Sequence, residues 1–176
     1  MRESSLPDAD TKIALARLDA IRDDCRKMVT RRASLSAGVA VVPLPGLDVG
    51  ADIAILLQLL PKINERFGLT PAQIESLDVE TKRVVMMFIG SVGSTLVGRL
   101  VTRELVVRIL MKMGVRVTTK SVVKFVPLLG QAVSASISFG AMKLLGDRHI
   151  DDCYRVARDT LLATAGDRSG AWEIVP

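Results

Sequence analysis

Val41-Val42-Pro43-Leu44-Pro45-Gly46-Leu47-Asp48 is the stretch on which the fold turns. Each proline removes a backbone donor and restricts the residue before it, so a helix entering this stretch has to stop. On either side, apolar residues return at helical spacing. Upstream they are Ile13, Ala16, Leu18, Ile21, Cys25 and Met28, behind the acids Asp8 and Asp10, which favour the positive end of a helix dipole. Downstream they are Ile53, Leu56, Leu57, Leu60 and Ile63. The pattern is helix, break, helix. The first helix is expected to reach about Arg32, and the second to start at Gly46 or Asp48, with Pro61 kinking or ending it.

The break recurs. Val42-Pro43-Leu44-Pro45-Gly46 returns as Val126-Pro127-Leu128-Leu129-Gly130, and the ungapped stretches 42–60 and 126–144 match at eight of 19 positions. Pro43, Pro45 and Gly46, then Pro127 and Gly130, mark two helix-break-helix units that can pack with pseudo-twofold symmetry. Small residues four apart, Gly90, Ser94 and Gly98 and again Gly130, Ser134 and Ser138, would stack on single helix faces and let backbones approach closely. The expectation is that two helices cross on those faces.

Between the units, Thr70-Pro71-Ala72-Gln73 is a helix start, with a capping hydroxyl followed by proline at the first helical position. Asp78 is expected to cap the next helix, which runs through Val84, Val85, Phe88, Val92 and Leu96 towards Val101. Residues 102–113 read as further helix and 114–119 as a connection. Residues 120–145 read as a long helix interrupted near Pro127 and stopped by Gly146, with a last amphipathic helix from Asp147 or Asp151 to about Ala165. The fold class is therefore all-α, a compact multi-helix bundle built on two proline-broken helical hairpins related by an internal repeat. Residues 8–165 make one domain, and 1–7 and 166–176 are tails.

The chain has 176 residues, 49% of them hydrophobic but only 3% aromatic, and a mean hydropathy of +0.34. That excess calls for extensive burial, a membrane-facing surface, or both. The longest uncharged stretch, 125–142, has 18 residues and contains Pro127, Gln131 and three serines. It reads as a buried helix in preference to a span, which needs about 20 apolar residues. The net charge of +5 is concentrated: Arg99, Arg103, Arg108, Lys112, Arg116, Lys120 and Lys124 lie within 99–124 beside a single acid, Glu104. Such a region attracts anionic headgroups, nucleic acid or an acidic protein face. One Trp, one Tyr and four Phe give few stacking platforms, and no nucleic-acid-binding signature occurs, so a nucleic-acid partner is not expected.

Three segments carry a family resemblance: residues 41–48 with Asp52-Ile53-Ala54, Phe67-Gly68-Leu69-Thr70, and Lys124-Phe125-Val126-Pro127-Leu128-Leu129-Gly130 through Ser138-Phe139-Gly140. Over roughly residues 31–155 the chain resembles the YcjF-like and EcsC-like bacterial helical domains and the C-terminal helical region of immunity-related GTPases. The resemblance implies a helical bundle, often attached to a GTPase domain and often membrane-associated. This sequence departs from the GTPase members, because Gly90-Ser91-Val92-Gly93-Ser94-Thr95 lacks the phosphate-loop lysine and its spacing. No nucleotide is expected.

Catalysis is not expected either. His149 sits beside Asp147, Asp151 and Asp152, residues that could ligate a metal, but the segment reads as a solvated helix start, so neither metal nor cofactor is expected. Cys25 and Cys153 read as reduced thiols of a cytosolic protein. Asp48 and Asp52, four apart on one helix face, read either as a cap and an arginine partner or as a polar contact site. The expectation is a non-enzymatic module, cytoplasmic and peripheral on the inner membrane, bound to an anionic membrane surface. The alternative is a soluble adaptor, inhibitor or regulatory subunit that contacts a protein partner, self-associates, or partners a separate GTPase.

Overall fold

The computed structural model describes residues 9–39, 47–112 and 127–165, with side chains described for 9–35, 52–112 and 139–165. The described residues form six helices and no strand: α1 (Ala9–Val39), α2 (Leu47–Arg66), α3 (Pro71–Glu75), α4 (Val79–Val92), α5 (Arg103–Lys112) and α6 (Pro127–Thr164). The all-α bundle expected from the sequence is what the chain forms. The two tails and the first proline break, with Pro43, Pro45 and Gly46, lie outside the described residues. Of the second copy of the break, Pro127 opens α6 and Gly130 lies in its first turn.

The longest contact is between α1 and α6. Asp19 meets Tyr154, Arg22 and Arg26 meet Asp151, and Val29 meets Gly146, an order that runs the two helices antiparallel. Two apolar clusters lie along them. In the first, Leu18, Cys25 and Val29 pack with Leu59, Ile63, Phe67, Leu69, Ile74, Val85, Ile150, Cys153 and Val156. In the second, Ala33 packs with Ile53, Leu56, Leu60, Leu96, Val101, Val106, Leu110, Met142 and Leu145. Among the described residues, α5 lies on α2 while α6 lies on α1, α2 and α4.

Three helix limits differ from the sequence reading, and of the two outcomes expected at Pro61 the helix end is not the one found. α1 continues past Arg32 to Val39, because nothing in 33–39 removes a backbone donor and Ala33 is fully buried. α2 passes through Pro61. Proline inside a helix costs about 3 kcal/mol, but Leu59, Leu60 and Ile63 around it are 1%, 0% and 0% exposed. Each such side chain gains roughly 1.5–3 kcal/mol on burial, so packing wins over the local penalty.

α4 stops at Val92 instead of running to Val101. Gly93 caps it in the left-handed conformation, at φ 65°, and its N–H bonds the Gly90 carbonyl. The chain then crosses the bundle to α5 through Gly98, also left-handed at φ 69°. A Cβ at Gly98 would lie 2.8 Å from Ile89 Cδ1 and 3.0 Å from Ile74 Cδ1, side-chain ends that can shift, so it is the left-handed conformation that calls for glycine there. Finally, Gly146 does not stop a helix. It is buried within the 38 residues of α6, against Val29.

The start signals hold. Thr70 caps α3 and accepts from Gln73 N, while the Gln73 side chain accepts from Thr70 N, a reciprocal capping box. Asp78 caps α4 through the Glu80 and Thr81 amides. Replacing Thr70 with alanine frees the turn that seats Ile74 in the core. Urea unfolding is expected to show a loss of about 1 kcal/mol with an unchanged denaturant slope.

Candidate functional site

The basic region is the first candidate. Arg99, Arg103, Arg108 and Lys112 are all exposed, and none forms an ion pair among the described residues. Arg116, Lys120 and Lys124 lie outside the described residues. α5 is amphipathic in a direction that fixes this display. Val106 and Leu110 are buried in the second cluster, and Leu105, Val107 and Ile109 pack at its edge. Arg108, Met111 and Lys112 are left facing solvent. Glu104 is held below its ordinary range by hydrogen bonds to its own backbone and to the Thr102 side chain, with help from the Arg103 charge. The carboxylate therefore stays ionised and offsets one of the four positive charges.

Two exposed apolar side chains adjoin these cations along the chain. Leu100 is 77% exposed and Met111 54%. The sequence singles out the charges but not these two, each of which stands beside a buried residue, Val101 or Leu110. The signal was present in the helical period: Arg108, Met111 and Lys112 recur at the spacing that shares a face.

Of the two expected stripes of small residues, the one through Gly90, Ser94 and Gly98 does not form. Gly90 is exposed within α4 with open space around it, whereas Ser94 and Gly98 follow the Gly93 cap and belong to the crossing segment. Ser94 has a polar role. Its hydroxyl accepts from Leu96 N at 3.4 Å and faces the Asp152 carboxyl of α6 closely enough to favour its charged form. Burial raises the pKa of Asp152, and Ser94 holds it back. The side chains of Gly130's partners in the proposed crossing, Ser134 and Ser138, lie outside the described residues, as does that of Asp48. Asp52 is half-buried in α2.

His149 is where the structure corrects the reading most. It is 2% exposed, not part of a solvated helix start. It shares a buried face of α6 with Met142, seven residues before it, and with Cys153, Val156 and Thr160 at spacings of four, three and four. Burial pushes its pKa down to about 4, opposed by the Leu60 carbonyl nearby. Cys153 Sγ lies 3.7 Å from His149 Nε2 and 3.9 Å from Nδ1. With these near-equal distances the sulfur lies along the lone pair of neither nitrogen. The thiol donates instead to Asn64 Oδ1 at 3.3 Å, and Asn64 Nδ2 donates to the Leu96 carbonyl at 3.1 Å.

This chain of contacts joins α2, α6 and the crossing segment. Burial raises the Cys153 thiol pKa well above its ordinary value and that of Cys25 to about 11, so both stay protonated. A buried, protonated thiol is a packing group. Asn64 was not singled out from the sequence, since a lone asparagine in a helical pattern gives no sign of its distant partners. Asp147, Asp151 and Asp152 do not converge with His149: Asp147 pairs with Lys143 and Asp151 with Arg22 and Arg26. No group of residues among those described has the makings of a metal site.

Among the described residues, no helix is long and apolar enough to cross a membrane. No protein-family model, curated protein or solved structure matches the chain.

Proposed function

We propose that this chain is a non-enzymatic helical module that docks peripherally on an anionic membrane surface through α5 and the segment leading into it. The observation that carries this reading is the exposed group Arg99, Leu100, Arg103, Arg108, Met111 and Lys112. Cations around protruding apolar side chains suit a headgroup layer: the charges bind anionic lipid and the apolar chains enter the acyl boundary. At about 1 kcal/mol per basic residue, four cations less one carboxylate supply roughly 3 kcal/mol of salt-sensitive attraction. Leu100 and Met111 add a salt-resistant part. The resemblance to membrane-associated helical domains supports the same reading, with a cytoplasmic location and the inner membrane as the surface.

Sedimentation with vesicles tests it. The chain is expected to pellet with phosphatidylserine-containing vesicles, to stay in solution with phosphatidylcholine alone, and to be released by salt. The Arg108→Gln, Lys112→Gln pair should lose most of the binding, and Leu100→Ser with Met111→Ser should leave only the salt-sensitive part. Equal recovery in solution with both vesicle types refutes the proposal.

A second reading, a soluble protein-interaction module that engages a partner such as a separate GTPase or a second copy, is favoured by a different surface. On α4, Val79, Met86 and Met87 are 72%, 53% and 58% exposed, beside the Glu80–Arg83 ion pair. Light scattering in detergent-free buffer, comparing the native chain with Met86→Lys, Met87→Lys, separates self-association through this face from its absence.

A further inference from the structure

On the α1–α6 face, above the first apolar cluster, Arg22, Asp151, Tyr154, Arg155 and Arg158 line an open depression of about 300 Å³. We propose that this depression is a binding site for a small, soluble phosphate-bearing anion, separate from the α5 surface.

Three arrangements carry it. Asp151 Oδ1 accepts from Arg22 Nε at 3.2 Å, from Arg22 Nη2 at 3.0 Å and from Arg26 Nη2 at 3.0 Å, so one carboxylate orients two guanidinium groups and neutralises only one. The Arg22 guanidinium lies over the Tyr154 ring, 4.7 Å from its centre, and the Tyr154 hydroxyl donates to Asp19 Oδ1 at 2.6 Å. The ring is thereby fixed, and with it the plane of Arg22. Nη1 of Arg22 makes no hydrogen bond among the described residues. On α6, Asp151, Tyr154, Arg155 and Arg158 recur at helical spacing on one face. Arg155 is exposed with no ion pair among the described residues, and Arg158 commits Nη1 alone, to Asp159 at 3.3 Å.

The walls carry three guanidinium groups and one carboxylate, and the Asp152 carboxyl lies within the field of Arg155, so the draw on an anion comes from the uncommitted guanidinium N–H groups and not from a net charge. Asp19 and Asp159 are engaged by Tyr154 and Arg158. Guanidinium forks match phosphate oxygens in pairs, and a fork already oriented by a carboxylate and a ring loses little freedom on binding. The volume is at the small end for ligand pockets, the scale of a phosphate or diphosphate group and not of a large cofactor. Arg22 and Arg26 precede Ala33, where α1 enters the second cluster beside α5, by seven residues or more, about 10 Å along the helix axis. This separation favours a free anion over a headgroup held against α5.

Pyrophosphate is the probe. Calorimetric titration of the full chain at low ionic strength is expected to show saturable binding of one pyrophosphate per chain, weakened by salt. Arg155→Ala with Arg158→Ala should weaken it about tenfold or more, Arg155→Lys less, and the exposed Arg83→Ala on α4 not at all. Absence of saturable binding, or equal weakening by Arg83→Ala, overturns the assignment. In a parallel arm with phosphatidic acid vesicles, the Arg155, Arg158 double variant should sediment like the native chain. Loss of sedimentation in that variant would assign the depression to a lipid headgroup and overturn the free-anion site. Because the first arm uses no vesicles, its result stands apart from the success or failure of the membrane reading.

Discussion

Replacing Gly146 with valine is expected to destabilise the fold by about 3 kcal/mol, the upper part of the range for overpacking a close contact. A Cβ at Gly146 would lie 2.7 Å from Val29 Cγ1 and 2.8 Å from Cγ2, and Val29 is 0% exposed. Valine is stiff at χ1, so these methyl groups cannot swing aside as the end of a long side chain would. Alanine at 146 should cost less than valine. It meets the same two methyl groups but regains up to about 1 kcal/mol of helix propensity over glycine. The diagnostic experiment is the pair Gly146→Val with Val29→Ala. Val29→Ala alone removes buried methyl groups and should be destabilising, yet in the Gly146→Val background it should be stabilising by more than about 1 kcal/mol, because the two residues exchange volume across one contact. Urea unfolding of the four proteins gives the cycle. If Val29→Ala adds its full cost to that of Gly146→Val, the helices do not cross here.

That glycine also shows why part of the fold was hidden in the sequence. Leu145-Gly146-Asp147 reads as a helix end followed by a new cap, and a helix crossing at close range asks for the same residue. What decides between the two is Val29, on a helix far earlier in the chain, and local pattern carries no word of it. Pro61 is a similar case: its local penalty is visible and the burial of Leu59, Leu60 and Ile63 that outweighs it is tertiary. α4 is different, since Gly93-Ser94-Thr95 did announce a stop and the apolar spacing of Val92 and Leu96 masked it. The caps at Thr70 and Asp78 were legible because each is satisfied within three residues. Of the candidate surface, the charges and the period that exposes Met111 were legible, and the exposure of Leu100 was not. The exposure of Leu100 depends on where the crossing segment leaves the bundle, a consequence of the left-handed turns at Gly93 and Gly98.

His149 had a legible periodicity that its neighbours disguised, and its burial has the second large consequence. Acid is expected to destabilise the fold through this side chain. Burial lowers its pKa from the ordinary 6.5 to about 4, opposed by the Leu60 carbonyl nearby, and no charged neighbour contributes. Above pH 6.5 the imidazole is neutral in both folded and unfolded chains, and its contribution is fully present. As pH falls below 6.5 the unfolded chain takes up a proton that the folded one refuses until about pH 4, so stability is lost across that window. Each pH step of one across it removes about 1.4 kcal/mol, which brings the loss to about 2–3 kcal/mol by about pH 4.5. His149→Gln keeps an amide donor for Leu60 and cannot titrate. Its difference from the native chain, measured by urea unfolding at about pH 7 and about pH 4.5, should move by that amount in favour of glutamine. Carboxylates protonate in both proteins over the same range and cancel in the comparison. Parallel pH profiles for the two chains would mean that the imidazole is solvated in the folded state, and the polar contacts that tie α2, α6 and the crossing segment would go with it.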